Sequence, residues 1–213
     1  MKGYVLIKSI THRGDGTCLV KAETGNESGS EELEFIIICE IFDELGLATG
    51  AASCEVLPLL ERGSKLTAAY FSACSSFAFS QSSLKAIYRK LVAKGFSKEI
   101  AQDAIELVRD REFVDEDEIA VRRAEIMIEK LWGKTRIISK LREEGFPDYS
   151  IEEAFEYLSG VDFVSNCILV IEKKYGEIPE ERIKREKMYA ALSRMGYSSS
   201  EIKAAVMRIL EDQ

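Results

Sequence analysis

The stretch LREEGF at residues 141–146 is one of three related copies in the chain. LVAKGF occupies residues 91–96 and LSRMGY occupies residues 192–197, so that each leucine is followed four residues later by glycine and an aromatic residue. The copies are separated by 50 and 51 residues. A repeat of this length is typical of stacked supersecondary units that cannot bury their apolar faces alone. The three copies therefore predict a tandem array of similar units.

The residues that follow each glycine repeat as well. Positions six, nine, ten and thirteen residues after the glycine are apolar in every copy, which is the i, i+3, i+4, i+7 face of a helix. We predict that these positions form the core of the array. They are Ala101, Ala104, Ile105, Val108, Ile151, Ala154, Phe155, Leu158, Ile202, Ala205, Val206 and Ile209.

The helix boundaries have recognisable signals. Glycine after the last helical residue tolerates the left-handed conformation that closes a helix, and the aromatic residue can fold back on the last turn. The pairs at 115 and 118, 150 and 153, and 198 and 201 fit the capping box, in which two side chains satisfy the first backbone N–H groups of a helix. Each repeat is therefore predicted to hold a lead-in helix, a middle helix that ends at the glycine, and a third helix.

The N-terminal part reads differently. Residues 3–22 predict two strands joined by a turn at residues 12–16, and residues 24–30 predict a polar loop. Residues 33–39 predict a third, buried strand, and residues 40–45 a short helix that ends at Gly46.

These patterns together predict the architecture. We expect a mainly α fold of tandem three-helix repeats that form a curved, elongated array, with a small acidic β-containing domain at residues 1–58. The repeats are predicted at about 59–110, 111–160 and 161–213.

Composition limits the classes of function. The chain has 213 residues and a net charge of −8, and residues 1–60 hold four Lys and Arg against ten Asp and Glu. This charge argues against a dedicated nucleic-acid binder. The start lacks the features of a signal peptide, and no apolar run approaches the ~20 residues that cross a bilayer. Five scattered cysteines, never in CxxC spacing, indicate buried thiols in a reducing cytosol. We expect a cytoplasmic monomer.

Positive charge follows the repeat. The middle helices are basic, with no acid at residues 85–98 or 134–142 and one glutamate at 182–194, whereas the helices after the first two are acidic. We predict that the basic side chains form a stripe that binds a partner. The candidates are Arg89, Lys90, Lys94, Lys134, Arg136, Lys140, Arg142, Arg185, Lys187 and Arg194.

Four segments resemble the RecX family of bacterial recombination regulators. They are residues 84–97, with the K-G-[FY]-S ending, residues 114–120, similar to the I-D-D-x-x-[FY]-A helix start, residues 133–146, similar to G-x-x-R-I-x-x-x-L, and residues 185–198, similar to the closing L-x-R-x-G-[FY]-S. The resemblance implies a non-catalytic modulator in DNA repair, homologous recombination and the SOS response. Such proteins bind the filament of RecA on single-stranded DNA and modulate, chiefly inhibit, its ATPase, strand-exchange and coprotease activities.

Two other functions remain open. The repeats could bind single- or double-stranded DNA directly, like helix-turn-helix units, and affinity would then fall steeply with salt. The acidic run from Asp115 to Glu118 could hold a divalent cation in an enzyme, but acids at a helix start are also favoured by the helix dipole. We predict no metal or cofactor site, no catalytic residue, and a structural role in a turn for the single histidine, His12.

Overall fold

The computed structural model describes residues 4–26, 29–80, 82–111 and 114–211. Four strands lie in the N-terminal part: β1 (Tyr4–His12), β2 (Thr17–Asn26), β3 (Gly29–Ile38) and β4 (Gly50–Ala52). The helices are α1 (Cys39–Glu44), α2 (Val56–Ser80), α3 (Leu84–Ala93), α4 (Lys98–Arg111), α5 (Glu116–Glu129), α6 (Lys134–Glu144), α7 (Asp148–Ser159), α8 (Phe163–Tyr175), α9 (Arg182–Arg194) and α10 (Ser199–Glu211). The predicted mainly α fold with a small N-terminal sheet is confirmed.

The chain divides into two compact units. The first comprises Met1–Phe79 and Ile87–Val114, and the second comprises Ser80–Ala86 and Asp115–Gln213. The N-terminal sheet therefore shares a unit with most of the first repeat, and the second and third repeats share the other. The predicted domain boundaries at residues 58, 110 and 160 stay predictions.

The sheet of the first unit is antiparallel, with the strand order β3-β2-β1-β4. The predicted turn between the first two strands is confirmed, since Arg13 N–H donates to the carbonyl of Thr17 at 2.7 Å. The predicted polar loop at 24–30 is wrong throughout its described part, because β2 continues to Asn26 and β3 begins at Gly29. Residues 27 and 28 lie outside the described residues. Cross-strand hydrogen bonding outweighs the turn propensity of this polar stretch.

Helix α2 packs on the sheet. Leu60 is fully buried with the sheet residues, and the side-chain oxygen of Thr67 accepts a hydrogen bond from Ile38 N–H at 2.9 Å. Gly63 lets the helix approach closely, since a Cβ there would lie 3.1 Å from Ile37. The predicted short helix before Gly46 is confirmed as α1.

The second unit has one large apolar core, built from α5 to α10. The predicted core positions of the second and third copies lie in it, with one correction. Phe155 is 50% exposed, so its assignment to the core was wrong. The helical period alone does not distinguish the edge of an apolar stripe from its centre.

The capping predictions have different outcomes. At the start of α10, Ser198 and Glu201 exchange hydrogen bonds as a capping box, and Asp115 accepts from two N–H groups at the start of α5. The predicted capping box at Ser150 is wrong, because α7 already begins at Asp148. Ser150 is instead buried, and its hydroxyl donates to Asp117 at 2.6 Å.

Within the described ranges, no single helix is long and apolar enough to cross a bilayer. Helices α7 and α8 reach the required length and apolarity only as a pair, and they are bent by 76° relative to each other.

Candidate partner-binding helices

Helices α3, α6 and α9, called the basic helices below, end in the same hydrogen-bonded turn. The aromatic N–H donates to the leucine carbonyl five residues earlier, at 3.3, 3.2 and 3.3 Å in the copies at 91–96, 141–146 and 192–197. The intervening glycine has φ of +96°, +90° and +97° in the same order. This is the Schellman closure, and it requires the left-handed conformation that glycine adopts without strain. The sequence repeat is therefore a repeat of local geometry.

The start of α6 contacts the turn that ends α9. Gly133 N–H donates to the carbonyl of Met195 at 2.8 Å, and Thr135 N–H donates to the carbonyl of Gly196 at 3.2 Å. Backbone groups that a helix start and a helix end leave unpaired thus satisfy each other. We call this contact, of the start of one basic helix with the closing turn of the next, the repeat joint.

Tyr197 reinforces this joint. Its ring is buried, and its hydroxyl donates to the carbonyl of Leu131 at 2.9 Å. Burial raises the pKa of this phenol above its ordinary value, because the charged form would lose its hydration. The tyrosine therefore acts as a neutral hydrogen-bond donor across the physiological pH range.

The residues before α3 form the equivalent joint with the turn that ends α6. Ser83 is fully buried, and its hydroxyl donates to the carbonyl of Glu144 at 2.7 Å. A Cβ on Gly145 would lie 3.1 Å from the side chain of Lys85. Ser83 precedes Gly133 by one 50-residue period. The same contact between a helix start and a closing turn therefore occurs twice.

Two predicted site residues lie over aromatic rings. The Lys134 ammonium is 3.5 Å from the centre of the Phe155 ring and donates to the Ser159 hydroxyl at 2.9 Å. The Arg136 guanidinium is 3.8 Å from the centre of the Trp132 ring. Cation–π contacts of this kind contribute about 0.5–1 kcal/mol at exposed sites. These cations therefore also stabilise the second unit itself.

Three more candidates contact groups of their own unit. Lys94 donates to the hydroxyl of Ser72 at 2.6 Å, and Lys140 lies 3.1 Å from Glu143. Arg185 donates to backbone carbonyls of the segment just before α9. These contacts order the long side chains but leave most of their charge at the surface, where ion pairs contribute about 0–1 kcal/mol.

Sequence comparison shows which proteins of known name this chain resembles. The chain is 28% identical over 131 residues to a protein named regulatory protein RecX from Xanthomonas axonopodis pv. citri, covering 61% of this chain and 80% of that protein. It is 26% identical over 125 residues to the regulatory protein RecX of Halorhodospira halophila, covering 58% and 77%. No protein-family model matches the chain. Over about 60% of its length the chain is therefore similar to proteins named regulatory protein RecX.

Solved structures agree with the RecX relationship at the level of fold. A crystal structure of regulatory protein RecX superposes with a TM-score of 0.70 and 18% identity, covering 98% of this chain and 100% of that one. The crystal structure of RecX from Lactobacillus salivarius superposes with a TM-score of 0.56 and 17% identity, covering 68% and 96%. The resemblance inferred from the four sequence segments is confirmed.

The other candidate residues are exposed cations. Arg142, Lys187 and Arg194 are exposed, and in the part of the chain that the structure describes they form no side-chain hydrogen bond or ion pair. Arg89 and Lys90 on α3 are exposed as well. Basic residues at corresponding repeat positions occur in pairs rather than in threes. These pairs are Lys134 with Arg185, Arg136 with Lys187, and Lys90 with Lys140.

The acidic run that opens α5 contacts its own unit at every position. Asp115 caps α5, Glu116 accepts from Leu84 N–H at 3.1 Å, and Glu118 pairs with Arg122. Asp117 accepts the hydroxyl hydrogen bond of Ser150. These carboxylates connect the starts of α3, α5 and α7, so the cluster has a structural explanation that does not require a metal.

The aromatic partners of Lys134 and Arg136 were not predicted from the sequence. Trp132 and Arg136 are four residues apart, but Trp132 precedes the first residue of α6, so the spacing of side chains along a helix does not predict their contact. Phe155 lies 21 residues after Lys134, and no local spacing indicates that contact.

Proposed function

We propose that this protein binds the filament of RecA on single-stranded DNA and restrains its ATPase, strand-exchange and coprotease activities without catalysing a reaction. The observation that carries the proposal is the relationship to proteins named regulatory protein RecX over most of their length. The basic helices supply the contact, and RecA and its DNA supply the acidic surface.

The repeat joint supports this proposal in physical terms. A filament presents identical subunits at a fixed interval, and the joint provides basic helices of similar structure within one chain. Each surface ion pair is weak, at about 0–1 kcal/mol. Several such contacts within one molecule raise avidity through effective concentration, which suits a repetitive partner. A protein bound across neighbouring subunits resists the rearrangement that accompanies ATP hydrolysis.

Arg142 on α6 and Lys187 on α9 provide the test. We expect Arg142→Glu with Lys187→Glu to raise the concentration that half-inhibits RecA ATPase on single-stranded DNA by at least about fivefold, because two exposed attractions become repulsions. Reversal of Arg136 would also break its contact with Trp132, so it would confuse binding with stability.

The matched control reverses Lys173 on α8 and Lys203 on α10, which are also exposed. This double variant has the same net charge but leaves the basic helices intact, so its inhibition is expected to equal that of the wild type. If both double variants half-inhibit RecA ATPase at the same concentration, α6 and α9 are not part of the interface. Absence of any effect of the wild-type protein on RecA would refute the proposed function.

Direct binding to DNA is the second candidate, favoured by the exposed cations of α6 and α9. It predicts that the protein alone retards single-stranded DNA, with a logarithm of affinity that falls linearly with the logarithm of salt concentration. The net charge of −8 acts against this function. Negligible binding to DNA alone at physiological salt, together with inhibition of RecA, would exclude it in favour of the filament.

A further inference from the structure

One end of the N-terminal sheet collects three metal-binding side chains from separate parts of the chain. His12 ends β1, Cys18 lies near the start of β2, and Cys39 follows β3 as the first residue of α1. The Nδ1 atom of His12 is 3.3 Å from the Cys18 sulfur and 3.5 Å from the Cys39 sulfur, and the two sulfurs are 2.9 Å apart. All three ligand atoms lie within 4.8 Å of one another.

The strand register explains this convergence. His12 pairs directly with Cys18, and directly paired residues of antiparallel strands project from the same face. Cys18 also pairs with Ile37, two residues before Cys39, and Cys39 N–H donates to the carbonyl of Gly16 at 2.9 Å. The cluster therefore rests on backbone pairing.

A β-bulge places the histidine on this face. Val5 and Ile7 point into the core, and strict alternation would continue this face through odd-numbered residues. The register of β1 against β2 shifts between Ile7 and Ser9, so that Ile10 pairs with Val20 and His12 with Cys18. Bulges commonly re-aim side chains in this way. The sequence alone did not reveal this shift, and therefore His12 was assigned a structural role in a turn.

We propose that His12, Cys18 and Cys39 form a binding site for a zinc-class transition-metal ion. Two thiolates and one imidazole bind transition-metal ions such as Zn²⁺ in preference to Mg²⁺ or Ca²⁺. With a Zn–S distance of ~2.3 Å and a Zn–N distance of ~2.0 Å, a tetrahedral ion separates sulfur from nitrogen by ~3.5 Å and sulfur from sulfur by ~3.7 Å. The two sulfur–nitrogen distances already fit, and the two sulfurs would move apart by ~0.8 Å.

Access and charge are compatible with this site. Cys18 is fully buried, Cys39 is half-buried and His12 is exposed, so an ion can enter from the histidine side. Metal binding requires both thiols in their deprotonated form, and three protein ligands leave the fourth position to water or to a nearby carboxylate.

Titration of the full-length, reduced, metal-free protein with Co²⁺ tests the site. We expect one Co²⁺ per chain, with sulfur-to-cobalt charge-transfer absorption in the near ultraviolet and displacement by Zn²⁺. Cys18→Ser and Cys39→Ser are expected to abolish that absorption. Cys54→Ser is the control, since Cys54 lies in the exposed segment between β4 and α2, and it should bind as the wild type does.

His12→Gln keeps the test decisive if the buried Cys18→Ser variant fails to fold. Because His12 is exposed, the variant should retain the wild-type circular dichroism spectrum. Loss of an outer-shell partner lowers metal affinity by about 10–100-fold, and we expect loss of the direct ligand His12 to lower the Co²⁺ affinity by more than that. The proposal is overturned if the reduced wild type binds no stoichiometric Co²⁺, or if His12→Gln binds Co²⁺ within twofold of the wild type. It is also overturned if air oxidation pairs Cys18 with Cys39 while the reduced protein binds no metal.

Discussion

Gly133 lies against Gly196 so closely that a Cβ atom on Gly133 would be 2.2 Å from the Gly196 carbonyl carbon. Conversely, a Cβ on Gly196 would be 2.5 Å from the Arg136 Cβ. Neither position tolerates a side chain without movement of backbone. The repeat joint between α6 and α9 thus depends on glycine in both partners, one at the start of a helix and one in a closing turn.

Gly133→Ala is therefore expected to destabilise the protein. Overpacking typically costs 1–3 kcal/mol, and we expect a loss of about 2 kcal/mol in the free energy of unfolding, measured by urea denaturation. Gly160→Ala is the matched control, since its Cβ would meet only the Tyr157 carbonyl oxygen at 3.6 Å. That control should change stability by less than about 0.5 kcal/mol. Equal stabilities of the two variants would show that the joint opens in solution.

Arg123 and Glu144 form a two-point ion pair within the second unit. The Arg123 Nε and Nη2 atoms donate to the two carboxylate oxygens at 2.8 and 2.6 Å, and the side chains are only 29% and 17% exposed. The hydrogen bond to Glu144 raises the pKa of Arg123 above its ordinary value. Since hydrogen bonds to charged groups contribute about 1.5–3 kcal/mol, we expect Arg123→Ala to cost about 2 kcal/mol of unfolding free energy.

Arg122 provides the control for this ion pair. It is the neighbouring residue, and it pairs with Glu118 one turn earlier on the same helix, where both side chains are more than half exposed. Pairs of this kind contribute about 0.3–0.5 kcal/mol, so Arg122→Ala should cost much less than Arg123→Ala in the same denaturation experiment. Similar losses would contradict the difference in burial between the two pairs.

The sequence predicts those features of the fold that are determined locally. The closing turns follow from Leu-x-x-x-Gly-aromatic because the glycine conformation and the leucine carbonyl lie within six residues of each other. The hairpin between β1 and β2 follows from a Gly-rich turn between alternating strands. The short strand β4 was not predicted, since its three residues, Gly50–Ala52, are ordered by pairing with β1 rather than by their own propensity.

The candidate site is less predictable because side-chain environment depends on distant residues. Arg142 and Arg136 lie on the same basic helix, and the sequence repeat predicts both as partner-binding residues. In the structure both residues are exposed, but Arg136 lies over the ring of Trp132, whereas Arg142 has no aromatic ring beneath it among the described residues. Ser150 matched a capping box but is buried against Asp117, 33 residues away. Contacts of this range have no local signature in a single sequence.

The hydrogen bonds of Asp162 lead us to expect that the protein becomes less stable at acidic pH. It caps α8, accepting from Ser165 Oγ at 2.6 Å and from the N–H groups of Val164 and Ser165. The hydrogen bonds from Ser165, with a smaller contribution from the charge of Arg208, lower the pKa of Asp162 below its ordinary value of 3.8. A carboxylate with a lowered folded-state pKa stabilises the fold above its ordinary pKa, and this contribution is lost as the pH falls through the lowered value.

Urea unfolding of the wild type and Asp162→Ala at several pH values checks this expectation. The variant should be less stable at neutral pH, and the difference should persist to about pH 5 and narrow as the pH falls below about 4. Glu172→Ala, an exposed change further along α8, should stay close to the wild type at neutral pH. A difference for Asp162→Ala that grows towards low pH would have the wrong sign for this cap.

Trp132 offers a direct report on α6, because it is the single tryptophan of the chain and lies under the Arg136 guanidinium. Arg136→Ala removes the cation from the ring face and opens that face to water. We therefore expect a shift of the tryptophan emission and a loss of about 0.5–1 kcal/mol of unfolding free energy. Arg142→Ala, which removes an exposed cation from the same helix, should leave the emission unchanged.

Arg136→Lys refines the test, since lysine keeps the charge but not the planar group that stacks on an indole, and should restore the emission only in part. Identical emission from the wild type and Arg136→Ala would mean that the guanidinium does not cover the ring in solution, and Arg136, like Arg142, would then be an exposed cation without an aromatic contact.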